Sequence, residues 1–403
     1  MSENISLTPD LRPPTATIHL KSGKDRPVRF GHPWIFSGAI RDLEPDVEPG
    51  TVARVHGADG EFLGQGYVNT RCTIAVRMLT AVDEEIDAGF IDRRIDSAIR
   101  LREEHVPSDT NAYRLVNGEG DRLPGFLVDR FDDVLILQSL TAGAERLKTF
   151  LVESLVSRLR PHAIAEHSVG SVRRAEGLRP QSAVLYGDLA EEVEVRENGL
   201  RVIVPTRGGQ KTGHFCDQRP NRLRVRELAR GRRVLDCFAY SGAFAVHAGI
   251  GGAARVVGVD SSAPALALAR RSWTRNGLPA QGVELLDADV HTYLRETSET
   301  FDLVILDPPA LVKQRKDVAK GARAYKDLHL WAFRRAAAGA TMLTFTCSQH
   351  VDAELFRKIV LGAAVDACRE IQLIGHLGPG PDHPTSLGHP EGEYLHGLLI
   401  RVL

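Results

Sequence analysis

Cysteine is scarce in this chain, with five in 403 residues. That is too few for a disulfide scaffold, and no CxxC pair suggests a structural zinc site. No uncharged apolar run approaches the roughly 18 residues that a membrane-spanning helix needs. The start, Met1 to Asp10, is polar and lacks an apolar signal core. An excess of one charge is missing as well: 51 basic against 52 acidic side chains give a net charge of −1. That balance argues against one large basic surface. With 43% hydrophobic and 26% charged residues, the chain is neither collagen-like nor a coiled coil nor wholly disordered. The expectation is a soluble, cytoplasmic protein without a metal or membrane partner, of two or three domains at about 150 residues each.

The neutral total hides segregation. Residues 11–41 carry six basic side chains against Asp25, and residues 42–61 reverse the sign with six acids against Arg54. The stretch 196–233 holds eleven basic residues against Glu197, Asp217 and Glu227, a net +8. Residues 313–327 hold six against two aspartates, a net +4. Any one such run reads first as a solvated surface; two flanking the motifs below point to a track for a polyanion.

Residues 15–80 contain short β-type runs, Thr15–Leu20, Thr51–Val55, Phe62–Val68 and Cys72–Leu79, broken by Gly and Pro, which predict a small barrel or sandwich. The period then changes, and Ile86, Phe90, Ile91, Ile95, Ile99 and Leu101 predict an amphipathic helix over 85–105. A helix near 142–159 among strand runs such as Phe126–Val128 and Val134–Leu137 gives an α+β middle segment. After 200 the pattern alternates. Arg233–Phe238, Ala254–Asp260, Val283–Leu286, Leu303–Leu306 and Thr341–Phe345 have buried-strand length, with helices at Gly242–Ala248, Pro264–Asn276, Val290–Leu294 and Tyr325–Ala338 between them. Such alternation implies a parallel sheet covered on both faces, with its ligand beyond the carboxyl ends of the strands.

Those strand ends carry acids. The first runs into Asp236-Cys-Phe-Ala-Tyr-Ser-Gly242, where a dinucleotide enzyme would want GxGxxG. Gly242 alone fits a ligand without phosphates, such as S-adenosylmethionine (SAM). Asp260, ending the second strand, suits ribose hydroxyls, and Asp289, after the third, suits the adenine amino group. Each aspartate could equally cap the next helix; three on successive strands are harder to explain as caps alone. The fourth strand ends in Asp307-Pro308-Pro309, a rigid turn in which no helix can start.

The fifth strand runs into Thr346-Cys347-Ser348, ahead of a helix expected to begin near His350. Cys72, Cys237 and Cys368 read as buried apolar fillers, while Cys216, in a charged segment, stays open. Cys347 reads as a nucleophile whose thiolate a helix N-terminus would favour. Carbon methylation of a pyrimidine needs one: C5 becomes reactive only after a thiolate adds at C6. A carboxyl group such as Asp307 eases that addition at cytosine N3. Transfer to an exocyclic amine needs no cysteine.

The ordered motifs resemble the RlmI-like family of bacterial 23S rRNA cytosine-5 methyltransferases, class I SAM-dependent enzymes, over nearly the whole chain. The motifs are Gly31-His-Pro-Trp34-Ile-Phe-Ser-Gly38, Asn117-Gly-Glu-Gly-Asp121, Gln210–Arg222, Asp236–Phe244, Asp307-Pro-Pro309, Tyr325-Lys326-Asp327, Thr346-Cys347-Ser348, Asp382-His-Pro384 and Pro390–Leu395. The resemblance implies an N-terminal PUA-like RNA-binding β-barrel (1–84) and a middle α+β domain (85–195). A Rossmann-like methyltransferase domain with a mostly parallel seven-stranded sheet (196–403) would follow. It further implies that Gln210, Lys211, Phe215, Asp217 and Arg219 close over SAM. Asp236, Phe238, Tyr240, Ser241, Gly242, Asp260, Ser261, Asp289, Val290 and Asp307 would line its site. Pro308, Pro309, Tyr325 and Lys326 would meet the substrate, with Cys347 the nucleophile and Asp307 its partner. The implied partner is large-subunit ribosomal RNA, and a homodimer is compatible with the sequence. Ala310 departs from a usual lysine, and Cys216 from a usual bulky apolar residue. The alternatives are an amine-directed methyltransferase, a uridine-C5 methyltransferase and a non-catalytic RNA-binding factor.

Overall fold

The computed structural model describes residues 16–43, 46–207 and 212–403. Gln210, Lys211, Thr15 and the polar start Met1–Asp10 lie outside the described residues. The first sheet has six strands in the spatial order Trp34–Phe36, Ile74–Thr80, Phe62–Val68, Thr51–His56, Ala16–Leu20 and Ile40–Leu43. Alternation along these strands buries Ile18, Leu20, Val55 and Val76 in one small core.

The helix Ala88–His105 follows, capped by the Asp87 carboxylate, which accepts from the Phe90 amide at 2.7 Å. Its Phe90, Ile91 and Ile95 join Leu147, Leu151 and Leu155 of the helix Ala142–Leu159 in one core with a five-stranded sheet. That sheet runs Gln181–Gly187, Ala163–Ser168, Val134–Ser139, Phe126–Phe131, Ala112–Asn117. A two-stranded ribbon, Glu192–Glu197 with Leu200–Pro205, leads onward; its Ile203 amide donates to Ser272 Oγ at 3.0 Å.

The last sheet has seven strands: β1 (Arg233–Cys237), β2 (Arg255–Asp260), β3 (Val283–Asp287), β4 (Phe301–Leu306), β5 (Ala336–Thr346), β6 (Ile371–Leu377) and β7 (His396–Val402). Their order is β3-β2-β1-β4-β5-β7-β6. β7 runs antiparallel to both β5 and β6, and the remaining pairs are parallel. The helices that follow β1 to β5 are α1 (Ala243–Ile250), α2 (Ala263–Arg275), α3 (Val290–Glu296), α4 (Val318–Arg335) and α5 (Ala353–Asp366). Ser262 caps α2 as the sequence predicted. The order turns around at β1 and β4, which places the ligand crevice beyond Cys237 and Leu306.

Three sequence expectations change. The alanine-rich stretch 336–338, read as helix, is the start of β5, because pairing of Ala336 with Phe301 overrides helical propensity. Cys368 is exposed and Cys72 half-buried, so only Cys237 of that trio is a core filler. The basic run 196–233 is largely paired within the protein: Arg201 with Glu194, Arg207 with Glu191, Arg219 with Asp382, Arg222 with Glu197, Arg224 with Glu227 and Arg233 with Asp302. In the run 313–327, Lys326 pairs with Asp366. Lys313, Arg315, Lys316, Lys320 and Arg323 are exposed and make no ion pair among the described residues. Among those residues, no helix is long and apolar enough to cross a membrane.

Candidate active site

The crevice begins at the turn after β1. Phe238, Tyr240 and Gly242 all have left-handed backbone, with φ of 63°, 48° and 72°, so the turn keeps alternate positive-φ residues although only one is glycine. The amides of Phe238 and Ala239 both donate to the Val259 carbonyl, at 2.9 and 3.1 Å, and press the turn against β2. Gly242 is required twice over: a Cβ there would come within 2.5 Å of the Ala269 Cβ on α2. Ser241, beside it, is buried.

Asp260 is aimed by two backbone donors, Tyr240 N at 2.8 Å and Ser262 N at 2.9 Å. It is not the cap of α2, since Ser262 is; Ser261 is exposed beside it. Asp289 does cap its helix, accepting from the Thr292 amide at 2.9 Å and hydroxyl at 3.0 Å. These bonds, led by the Thr292 amide, hold it below the usual carboxylate range. It is nonetheless exposed at the crevice rim, whereas the Val290 side chain is buried in the core.

Asp236 is fully buried, and neither carboxylate oxygen finds a hydrogen-bond partner of good geometry. Burial, and then the carboxylates of Asp307 and Asp260, push it well above the usual carboxylate range. An orphaned acid beside two others is a site that wants positive charge. SAM carries a sulfonium and an ammonium, so the residues present fit it.

The segment after residue 211 packs against the turn after β1. Phe215 meets the Tyr240 ring edge-on at 5.5 Å, and Thr212 Oγ1 donates to Asp129 at 2.5 Å. Tyr394, a tail residue to which the sequence assigned no role, donates its hydroxyl to Asp217 at 2.6 Å. Arg219 lies away from any ligand role here: its guanidinium grips both oxygens of Asp382, at 2.8 and 3.1 Å, with both side chains buried. Asp382 is held well below the usual carboxylate range, burial being outweighed by His383 and Arg219. Cys216 packs with Phe131, Val195 and Val204, and burial first of all pushes its thiol far up. It is an apolar filler.

At the reactive end, Asp307 is half-buried after β4, with Pro308 buried and Pro309 exposed. Cys347 Sγ lies 3.9 Å from the Pro308 carbonyl oxygen, so the ends of β4 and β5 converge. The first helical residue after it is Ala353, later than the sequence predicted, so α5 does not begin at the thiol. The Cys347 turn is held from behind. Thr346 Oγ1 donates to the Tyr325 hydroxyl at 2.9 Å, and the Tyr325 and Ser348 hydroxyls are 2.9 Å apart. Tyr325 is fully buried, and burial raises its pKa. It therefore grips the residues flanking Cys347, while Lys326 pairs with Asp366 on α5 at 2.8 Å. Neither side chain faces the crevice as a ready substrate contact. His329, one turn along α4, accepts from Thr344 and donates to the Tyr325 carbonyl, both at 2.6 Å.

Residues 18–81 match the PUA-like domain family, and residues 152–349 the S-adenosylmethionine-dependent methyltransferase family. A protein of Alteromonas mediterranea called ribosomal RNA large subunit methyltransferase I is 38% identical over 393 residues, covering 96% of this chain and 99% of its own. One of the same name from Photobacterium profundum is 39% identical over 395 residues, covering 96% and 100%. The chain belongs to the ribosomal RNA large subunit methyltransferase I family. A methyltransferase structure solved with S-adenosylhomocysteine shares the fold at a TM-score of 0.83, with 21% identity and coverage of 96% and 99%. A SAM-dependent methyltransferase structure from Streptococcus mutans superposes at 0.82, with the same identity and coverage. In this family context the chain is a SAM-dependent methyltransferase with a PUA-like N-terminal part.

Proposed function

We propose that this protein methylates C5 of a cytidine in large-subunit ribosomal RNA through a covalent adduct between Cys347 and C6 of the base. The observation that carries this reading is the approach of the Cys347 thiol to the Pro308 carbonyl, beside Asp307, at the rim of the acid-lined crevice. When bound, SAM supplies the electrophilic methyl group that C5 takes. The Cys347 thiolate forms its bond to C6 as Asp307 delivers a proton to N3, which leaves C5 nucleophilic. After methylation a base removes the C5 proton, the S–C6 bond breaks, and the thiolate and the N3 proton are returned. Asp236, Asp260 and Asp289 would hold SAM, with Phe215 and Tyr240 over it. Asp217 would set the closing segment through Tyr394.

The exposed cations of 313–323 directly follow the Asp307 turn and would meet the phosphates of a strand entering it. The substrate base must leave its stack to reach the thiol, so unpaired RNA is the form bound. Three units, 1–84, 85–195 and 196–403, a cytoplasmic location and a homodimer belong to the same proposal. Labelled SAM and unmodified ribosomal RNA, followed by nucleoside analysis, test it. 5-Methylcytidine from the wild type and none from Cys347→Ala is the expected result. Methylated adenine or guanine, 5-methyluridine, or an unaffected variant would overturn it.

A further inference from the structure

A second cavity, of about 550 Å³, lies outside the SAM crevice. Its wall brings together three distant stretches: Trp34 of the first sheet, Asn117–Gly120 with Leu127 and Gln138 of the middle part, and Pro384–Tyr394 of the tail. Gln349, two residues past Cys347, also borders it. Its shape is fixed by bonds within the wall. Trp34 Nε1 donates to Glu119 at 2.8 Å, and Asn117 Nδ2 donates to the Pro384 carbonyl at 3.1 Å. Trp34 packs against the His389 ring at 4.4 Å. It is thus a preformed pocket of ligand size.

Its chemistry is that of a nucleobase site. Val169 and Val172 stand 40% and 48% exposed on its border, a pair of apolar side chains open to water. Leu127 and Leu140 extend the apolar surface. Gln138 is anchored by its Nε2, which donates to the His167 carbonyl at 3.0 Å. Its amide oxygen, like the exposed Gln349 amide, finds no partner among the described residues. Apolar walls for a flat ring with carboxamides for its polar edge are how proteins hold unstacked bases. A phosphate site would instead present unpaired cations, but the guanidinium of Arg114 is engaged by Asp129 and Asn117.

We propose that this pocket takes an unpaired nucleobase of the substrate RNA close to the target in sequence, splayed out while the target occupies the Cys347 site. The inference rests on the RNA reading above. Holding a neighbour by its base would keep the strand from restacking and would give a sequence preference that the SAM crevice alone cannot.

The test uses the full chain, a ribosomal RNA fragment that the wild type methylates, and copies of it with one abasic residue at each position within three nucleotides of the target. Ser171→Trp and Thr385→Trp fill the pocket from two sides at residues remote from the SAM contacts, and calorimetric SAM binding serves as the control for folding. One abasic position should lower wild-type kcat/KM by at least about tenfold, and each tryptophan variant should do the same on intact RNA. Combining variant and abasic RNA should cost little more than either alone. Abasic effects below twofold at every position, variants that bind SAM and methylate normally, or effects that simply multiply would overturn the pocket while leaving the methyltransferase reading intact. Failure of the wild type to methylate any fragment would overturn both.

Discussion

At the scale of the residue, the site depends on side chains that the sequence singled out and on others that hold them. Cys347→Ala should lower methyl transfer by at least about a thousandfold while leaving calorimetric SAM binding unchanged, because in the proposed reaction the thiol acts on the base and not on the cofactor. Asp307→Asn should lower kcat by about 10²- to 10⁴-fold, measured in single-turnover transfer. Tyr325 tests the difference between contact and support. Its hydroxyl is bonded to Thr346 and Ser348 on either side of Cys347, so Tyr325→Phe should lower kcat about tenfold with the KM for SAM unchanged. A raised KM for RNA with normal kcat would instead make it a substrate contact. The motif Tyr325-Lys326-Asp327 was legible as a motif, but its role was not. Sequence gives the spacing of a tyrosine from a cysteine and not which of them faces solvent.

At the scale of the element, strand ends were legible because buried parallel strands are short apolar runs with a polar residue at or beside the end. Asp260 ends β2, Asp236 is the last residue but one of β1, and Asp307 directly follows β4. Element limits were less legible where alanine makes helix and strand equally apolar, as at 336–338. Charge runs were least legible, since ion pairing is a property of the folded chain: Arg219 and Arg222 stand three apart in sequence yet pair with Asp382 and Glu197. That contrast separates the two basic stretches experimentally. Replacing Lys313, Arg315 and Lys316 together by alanine should reduce the slope of log K against log salt for single-stranded RNA by about 2, at roughly 0.7 per phosphate contact. Replacing Arg201, Arg207 and Arg224 should change it by less than half as much, because each already faces a carboxylate. Equal losses, read by fluorescence anisotropy at several salt concentrations, would return the 196–233 stretch to the RNA track.

At the scale of the molecule, the near-zero net charge leaves little overall self-repulsion, and the tail fastens the parts: Asp382 holds Arg219 and the Arg114 amide, and His389 packs on Trp34. Stability should therefore depend on pH through buried groups more than through net charge. His247 and His329 are fully buried, and burial above all lowers both from 6.5 to about 4. The fold holds them neutral, so below pH 6.5 the unfolded chain binds protons that the folded chain does not. Stability is then lost as pH falls from 6.5 towards 4, by about 2 kcal/mol per histidine between pH 7 and pH 5. Glu197, held low mainly by Arg222 against the effect of burial, adds its loss only at more acid pH. Both histidines lie in the seven-stranded part, where Trp273 and Trp331 report unfolding by their emission. The urea midpoint of that transition should fall between pH 7 and pH 5 at constant slope, and His329→Gln should remove roughly half of the fall. A midpoint that drops equally in the variant would show that the acid sensitivity arises elsewhere.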